Sequence, residues 1–202
     1  MKILKIYPGQ VDERHISEAA RTLRDGGVVI FPTDTIYALG CDALNHRAIE
    51  RMCRIKGIDP EVQPLSLLCA NLSQASEYVR IDNHAFRTLR HHLPGAFTFL
   101  LPAALRLPKV FRGRKTIGLR VPDCDIARAL AEAMQGPLMC TSVVLDDPDE
   151  LVEPDSIAMR YATEADVLID GGHGGTIGST IVDLTDSSAP EIVREGVAEF
   201  EQ

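Results

Sequence analysis

Apolar residues recur along the chain at two spacings, and the spacing switches where glycine, proline and short polar residues fall. Ile16, Ala19, Ala20 and Leu23 stand at i, i+3, i+4 and i+7, which predicts a helix with one buried face running to about Arg24. Asp12 supplies its N-cap and Gly26-Gly27 its stop. The run GVVIF at 27–31 is short and β-branched, as a central strand requires, and Pro32 ends it because proline has no N–H for the ladder. Asn45 predicts the cap of a second helix through Ile55, stopped by Gly57. PLSLLCA at 64–70 predicts a strand, followed by a short helix from Ser73 and a longer one capped by Asp82 and ended at Pro94-Gly95. AFTFLLP (96–102), TIGLRVP (116–122) and PLMCTSVVL (137–145) predict strands, with a helix over 124–135 between the last two. DSIAMRYATEA (155–165) predicts a helix, and DVLIDGG, GSTIVDL and EIVREG close the chain as short strands.

Several strands follow one another through loops shorter than the dozen or so residues a parallel crossover needs. The pattern therefore predicts a mixed twisted α/β sheet covered by helices. Without an internal repeat, low-complexity tract or linker, residues 1–202 read as a single domain. Hydrophobic residues at 45% and charged ones at 25% suit a packed core and exclude disorder. No apolar stretch approaches the roughly 20 residues that cross a bilayer, and MKILKIYPGQ does not read as a signal peptide. The five cysteines, at 41, 53, 69, 124 and 140, form no CxxC and sit mostly in apolar runs. They read as reduced core thiols of a cytoplasmic protein.

Charge changes the picture in one respect. A net charge of −8 opposes non-specific wrapping of nucleic acid, yet RLPKVFRGRK (106–115) holds five cations and no acid, whereas DDPDELVEPD (146–155) holds six acids and no cation. A surface polarised in this way can hold an anion on one side.

The candidate chemistry gathers at few places. Thr33, Asp34, Thr35 and Tyr37 follow a strand that ends in proline, where they either cap a turn or line a ligand site beyond the strand. Arg47, Arg51 and Arg54 share a helical face, with Arg47 and Arg51 read as solvated, while Lys56 at the helix exit can reach an anion. Arg120 lies inside an apolar strand and needs a carboxylate or a phosphate as partner, and Arg194 raises the same question. GGHGGTIGST (171–180) lacks both nucleotide fingerprints and reads as a flexible loop or as amides and hydroxyls approaching a phosphate. His84, His91 and His92 share a helix without a third ligand, so no metal cage is expected.

In order along the chain, GVVIFPTDTIYALGCDA, IERMCRIKG with PLSLLC, LPGAFTFLL, TIGLRVP, CTSVVL, GSTIVDLT and IVREGV resemble the motifs of the YrdC/YciO family, from residue 27 to 197. The resemblance implies a YrdC-like open twisted mixed sheet flanked by helices, with a concave, positively lined groove. It also implies formation of threonylcarbamoyl-adenylate from L-threonine, bicarbonate and ATP, a product used to make t6A at position 37 of tRNA. By the same likeness Thr33, Thr35 and Tyr37 line the substrate pocket. Lys56 and Ser142 serve catalysis, and with Arg120, Ser179, Thr180 and Arg194 they hold the nucleotide, with Mg²⁺ carried mainly by ATP and water.

Two positions depart from the family's synthases, which carry Lys-x-Arg and Ser-x-Asn pairs. Here the first reads Lys56-Gly57-Ile58 and the second Ser142-Val143-Val144, a pattern that resembles the YciO branch. Each lost charge-assisted contact is worth roughly 1.5–3 kcal/mol, or about ten- to a hundredfold in rate. Weak synthesis or hydrolysis of the adenylate is therefore the leading expectation. An accessory protein that binds tRNA or double-stranded RNA, and a regulator that binds ATP or AMP without turnover, stand beside it.

Overall fold

The computed structural model describes residues 1–7, 9–59, 65–104 and 115–201. Helix α1 (Glu13–Arg24) starts where the Asp12 carboxylate accepts from the N–H groups of Arg14 and His15 at 2.9 and 3.2 Å, and it buries Ile16, Ala19, Ala20 and Leu23. Helix α2 (His46–Lys56) is capped by the Asn45 side chain and stops at Gly57, whose φ of 71° is the left-handed conformation that glycine reaches without strain. Helices α3 (Leu72–Ala75), α4 (Asn83–His92), α5 (Asp125–Met134), α6 (Pro148–Leu151) and α7 (Pro154–Arg160) complete the set among the described residues.

The strands are β1 (Lys2–Lys5), β2 (Val29–Phe31), β3 (Ala38–Asp42), β4 (Ser66–Leu68), β5 (Phe97–Pro102), β6 (Thr116–Arg120), β7 (Leu138–Ser142), β8 (Val167–Asp170), β9 (Thr180–Asp183) and β10 (Glu191–Arg194). They form one open sheet in the order β1-β8-β2-β3-β7-β4-β6-β5-β9-β10. Four pairs are parallel (β1 with β8, β2 with β8, β4 with β6, β5 with β9) and the other five antiparallel, so the sheet is mixed.

Helices lie on both faces, and the period of two in the strands sorts side chains between two cores. Val28 and Ile30 join Leu39, Met52, Leu67 and Phe99 in one, whereas Val29 and Phe31 join Ile16, Leu23, Ile126 and Leu130 in the other. This is why GVVIF is apolar throughout: both of its faces are covered. The second core lies beneath α1 and α5, which pack against each other. Farther across the sheet, the same face turns polar and small. Ser66 stands opposite both Cys140 and Gly118, and Thr98 opposite Ile181. A side chain at Gly118 would press to 2.7 Å from the Ser66 hydroxyl, so glycine keeps this floor low.

Two strands go beyond the sequence expectation. β1 buries only Leu4 and exists because it pairs with β8, far along the chain. β3 is built on small residues, and Gly40 lets Phe31 approach to where a side-chain carbon would meet the ring at 2.5 Å. The basic segment 106–115 falls outside the described residues apart from Lys115.

Candidate functional site

The segment after β2 turns back on itself through its own hydroxyls. Thr33 Oγ1 donates to the Ile36 carbonyl at 2.8 Å and accepts from the Thr35 N–H at 3.1 Å, with Thr35 Oγ1 also 3.1 Å away. Asp34 does something different. Its Oδ1 accepts from the Arg120 guanidinium at 2.8 Å and its Oδ2 from the Asp123 N–H at 2.8 Å. The same Arg120 nitrogen donates to Thr35 Oγ1 at 3.1 Å. Both charged side chains are under a tenth exposed, so this is a buried, hydrogen-bonded pair. The partner that Arg120 needs in an apolar strand is thus a carboxylate, 86 residues earlier in the chain. Arg120 Nε remains buried without a hydrogen-bond partner among the described residues.

Beside this pair, a cleft of about 130 Å³ opens over the polar half of the sheet. Its lining brings together Arg120, Ser142, Ser179 and Arg194, four of the residues expected to serve a nucleotide, with Ser66 and Thr98. Two guanidinium groups and no carboxylate line it, which suits an anion. Every lining residue comes from a strand or the turn before β9, so the cleft stands on rigid backbone. Ser179 Oγ and Thr98 Oγ1 are 2.7 Å apart, and the Arg194 guanidinium donates to the Ser179 carbonyl at 2.7 Å. Lys56, at the end of α2, donates to the Ser142 carbonyl; its side chain lines not this cleft but an adjoining hollow of about 590 Å³, together with Val144 and Tyr161. Burial lowers its ammonium below the ordinary lysine range, because a partly desolvated cation is disfavoured.

Other expected site residues sit elsewhere. Tyr37 is fully buried: its hydroxyl donates to the Gly172 carbonyl at 2.6 Å and accepts from the Gly171 N–H at 3.1 Å, and burial raises its phenol. The Thr180 hydroxyl donates to the Ala198 carbonyl and accepts from the Gly196 N–H at 3.0 Å, tying down the C-terminal segment. In the glycine-rich stretch, the Gly174 and Gly175 amides donate to the Val152 and Thr35 carbonyls at 2.9 and 2.8 Å. A side chain at Gly174 would strike the Tyr37 ring at 2.7 Å, so these glycines serve close packing on the Thr33–Tyr37 turn. Arg51 is not merely solvated, since it grips Asp166 at 2.5 and 3.0 Å and the Glu164 carbonyl at 2.9 Å. The five cysteines are free thiols. Burial pushes Cys140 up to about 11 and Cys69 to about 12, which leaves both protonated and poor nucleophiles.

Ser66 and Thr98 were not singled out by the sequence, and Asp34 was noted only with its neighbours at the strand exit. The usable signal for the two hydroxyls was their recurrence inside apolar runs, in PLSLL and AFTFL, at the parity of one sheet face.

A family model for Sua5, YciO and YrdC, described as telomere recombination, matches residues 21–196. The chain belongs to the Sua5/YciO/YrdC family. It is 40% identical over 198 residues to YciO of Escherichia coli K12, an uncharacterised protein, covering 96% of this chain and 95% of that one. It is 37% identical over 165 residues to the threonylcarbamoyl-AMP synthase of Halorhodospira halophila, covering 79% and 84%. The crystal structure of E. coli YciO superposes with a TM-score of 0.89 at 38% identity over 98% of both chains. That of Pyrococcus abyssi Sua5 complexed with L-threonine gives 0.85 at 28% identity, over 97% of this chain and 58% of the other.

Within the Sua5/YciO/YrdC frame, the two departures have distinct surroundings. Ile58 is half-buried and packs on the core. Val144 is 51% exposed, while its backbone is fixed by Tyr161, whose hydroxyl accepts from the Val144 N–H at 3.0 Å and donates to its carbonyl at 3.2 Å. Arg54, which could replace a missing cation, is exposed on α2, and Arg112 and Arg114 lie outside the described residues. No helix is long and apolar enough to cross a membrane among the described residues.

Proposed function

We propose that this chain is a nucleotidyltransferase-like enzyme that acts on threonylcarbamoyl-adenylate, forming it weakly from L-threonine, bicarbonate and ATP or hydrolysing it, in connection with t6A at position 37 of tRNA. The observation that carries the reading is the convergence of Arg120, Ser142, Ser179 and Arg194 on one cleft, with Lys56 bonded to the Ser142 carbonyl beside it. In synthesis, a carbamate oxygen attacks the α-phosphorus and pyrophosphate leaves. In hydrolysis, water cleaves the mixed anhydride instead, giving AMP and threonylcarbamate. Synthesis brings negative groups together and both reactions build negative charge at the bond being made or broken, so cations are the main device. Arg120 and Arg194 would face phosphate oxygens, with the Ser142 and Ser179 hydroxyls donating to them. Lys56, bonded to the Ser142 carbonyl, would meet the carbamate, and Thr33 and Thr35 would flank the substrate beside Arg120.

Mg²⁺ belongs to this reading as a companion of the triphosphate. The cleft lining offers hydroxyls and guanidiniums but no carboxylate, and among the described residues no group of three His, Cys, Asp or Glu is placed to hold a metal. The chain's residues therefore fit phosphates that carry the ion with them, and the ion would neutralise charge on those phosphates.

The test is direct. The protein is incubated with L-threonine, bicarbonate, ATP and Mg²⁺, and separately with the adenylate, and products are followed by mass. The reading expects adenylate or AMP above a Lys56→Ala control; equal yields from both proteins reject it.

A further inference from the structure

A hollow of about 460 Å³ shares no lining residue with the anion cleft or with the hollow at Lys56. That size falls within the range of roughly 300–1,000 Å³ typical of small-ligand sites. Arg87, His91 and His92 of α4 form one wall; Pro190 before β10 and Phe200 and Glu201 of the C-terminal segment form the other. Both walls are held in place. His92 Nδ1 donates to the Thr88 carbonyl at 2.9 Å, and its ring stacks on Phe200 with 4.7 Å between centroids. Phe97 and Phe99 meet Phe200 edge-on at 6.3 and 6.4 Å. The segment that carries Phe200 is fastened two residues earlier, where the Ala198 carbonyl accepts from the Thr180 hydroxyl. The hollow therefore opens on a preset aromatic surface, which suits a ring.

Its charges narrow the ligand further. Arg87 and Glu201 both line the hollow, and neither forms an ion pair, with the other or with any group among the described residues. Arg87 commits only its Nε, to the Asn83 carbonyl at 3.2 Å, which leaves its two terminal nitrogens for a carboxylate. Other acids beside these walls are engaged: Asp82 caps α4 and receives the Ser187 hydroxyl, and Asp186 receives the Ser188 N–H and hydroxyl at 3.1 and 2.6 Å. A simple anion entering here meets Glu201, and a simple cation meets Arg87. A molecule that carries both charges bridges the two. The anion cleft, with two guanidinium groups, no carboxylate and no aromatic ring, selects differently. We propose that this hollow is a second ligand site and that it takes a free aromatic α-amino acid. The ring lies against Phe200 and Pro190, the carboxylate meets Arg87 and the ammonium meets Glu201. The inference stands apart from the adenylate reading and uses none of its residues.

Calorimetric titration of the full chain with L-phenylalanine and three relatives tests this. N-acetyl-L-phenylalanine removes the ammonium, L-phenylalaninamide removes the carboxylate, and L-leucine removes the ring. L-phenylalanine is expected to bind at least about tenfold more tightly than each of them. Arg87→Gln and Glu201→Gln, both at exposed positions that tolerate change, should each weaken L-phenylalanine about tenfold, with unfolding curves confirming that both variants fold. The pairing is specific: Glu201→Gln should leave N-acetyl-L-phenylalanine unaffected, and Arg87→Gln should leave L-phenylalaninamide unaffected, a crossed pattern that a merely structural role would not produce. Excess L-threonine should not displace L-phenylalanine. Absence of L-phenylalanine binding overturns the proposal, as do equal affinities for the single-charge relatives, unchanged affinity in both variants, or displacement by L-threonine.

Discussion

Two walls of the candidate site are built on opposite principles. On one side, Asp34 and Arg120 form a buried pair that also holds Thr35 and the Asp123 amide. On the other, beside the anion cleft, Lys56 donates to a carbonyl and Val144 stands half exposed, both lining a hollow of about 590 Å³. The first wall resists change because removing either partner strands a buried charge. The second has no buried pair to strand, so change there should leave the protein folded, and Val144, one of the two positions expected to differ from the family's synthases, stands on it. The comparison teaches where the fold is held and where ligand preference can be altered.

The sharpest way to break this contrast is at the closed wall. Asp34→Ala leaves the Arg120 guanidinium buried without its carboxylate and should cost about 3–5 kcal/mol in urea unfolding. A loss of under about 1 kcal/mol would show that the pair is not what fixes this wall. Tyr37→Phe comes next. It abandons the Gly172 carbonyl and Gly171 N–H in the core, for about 1–3 kcal/mol of stability, and the effect should appear in unfolding rather than as a separate loss of threonine dependence. At the open wall, Val144→Asn should change stability by no more than about 0.5 kcal/mol while raising threonine-dependent adenylate formation about tenfold. No gain in adenylate would place the deficit at Ile58 instead.

The smallest effect is a pH dependence. Burial holds the folded-state pKa of Lys56 below that of the unfolded chain, so the unfolded chain binds more protons between the two values. The charged lysine therefore costs stability below that window, and stability rises with pH through it. AMP binding, which uses the charge, should fall off on the alkaline side before an ordinary lysine would titrate, and Lys56→Met should remove both trends. Identical alkaline profiles for the two proteins would detach Lys56 from the anion.

Local signals were legible in the sequence, and distant ones were not. Asp12 and Asn45 announce α1 and α2 because a cap and a helical face lie within a few residues of each other. β1 and β3 escape such reading: one is held by pairing with β8, and the other by packing that needs Gly40 against Phe31. At the site, the need of Arg120 for a counter-charge could be read, but not that Asp34, 86 residues away, supplies one within the fold. Tyr37 looked like a pocket group because polarity at a strand exit does not say which way a ring turns, and its hydroxyl is used in the core. Arg51 looked solvated because Asp166, its partner, lies 115 residues away.

The central claim is that the cleft lined by Arg120, Ser142, Ser179 and Arg194 receives a phosphate. A crystal structure of the chain with AMP bound tests it most directly. The account predicts the phosphate within hydrogen-bonding distance of Arg194 and of the Ser142 or Ser179 hydroxyl. AMP ordered elsewhere, with Arg194 still donating to the Ser179 carbonyl, would contradict it.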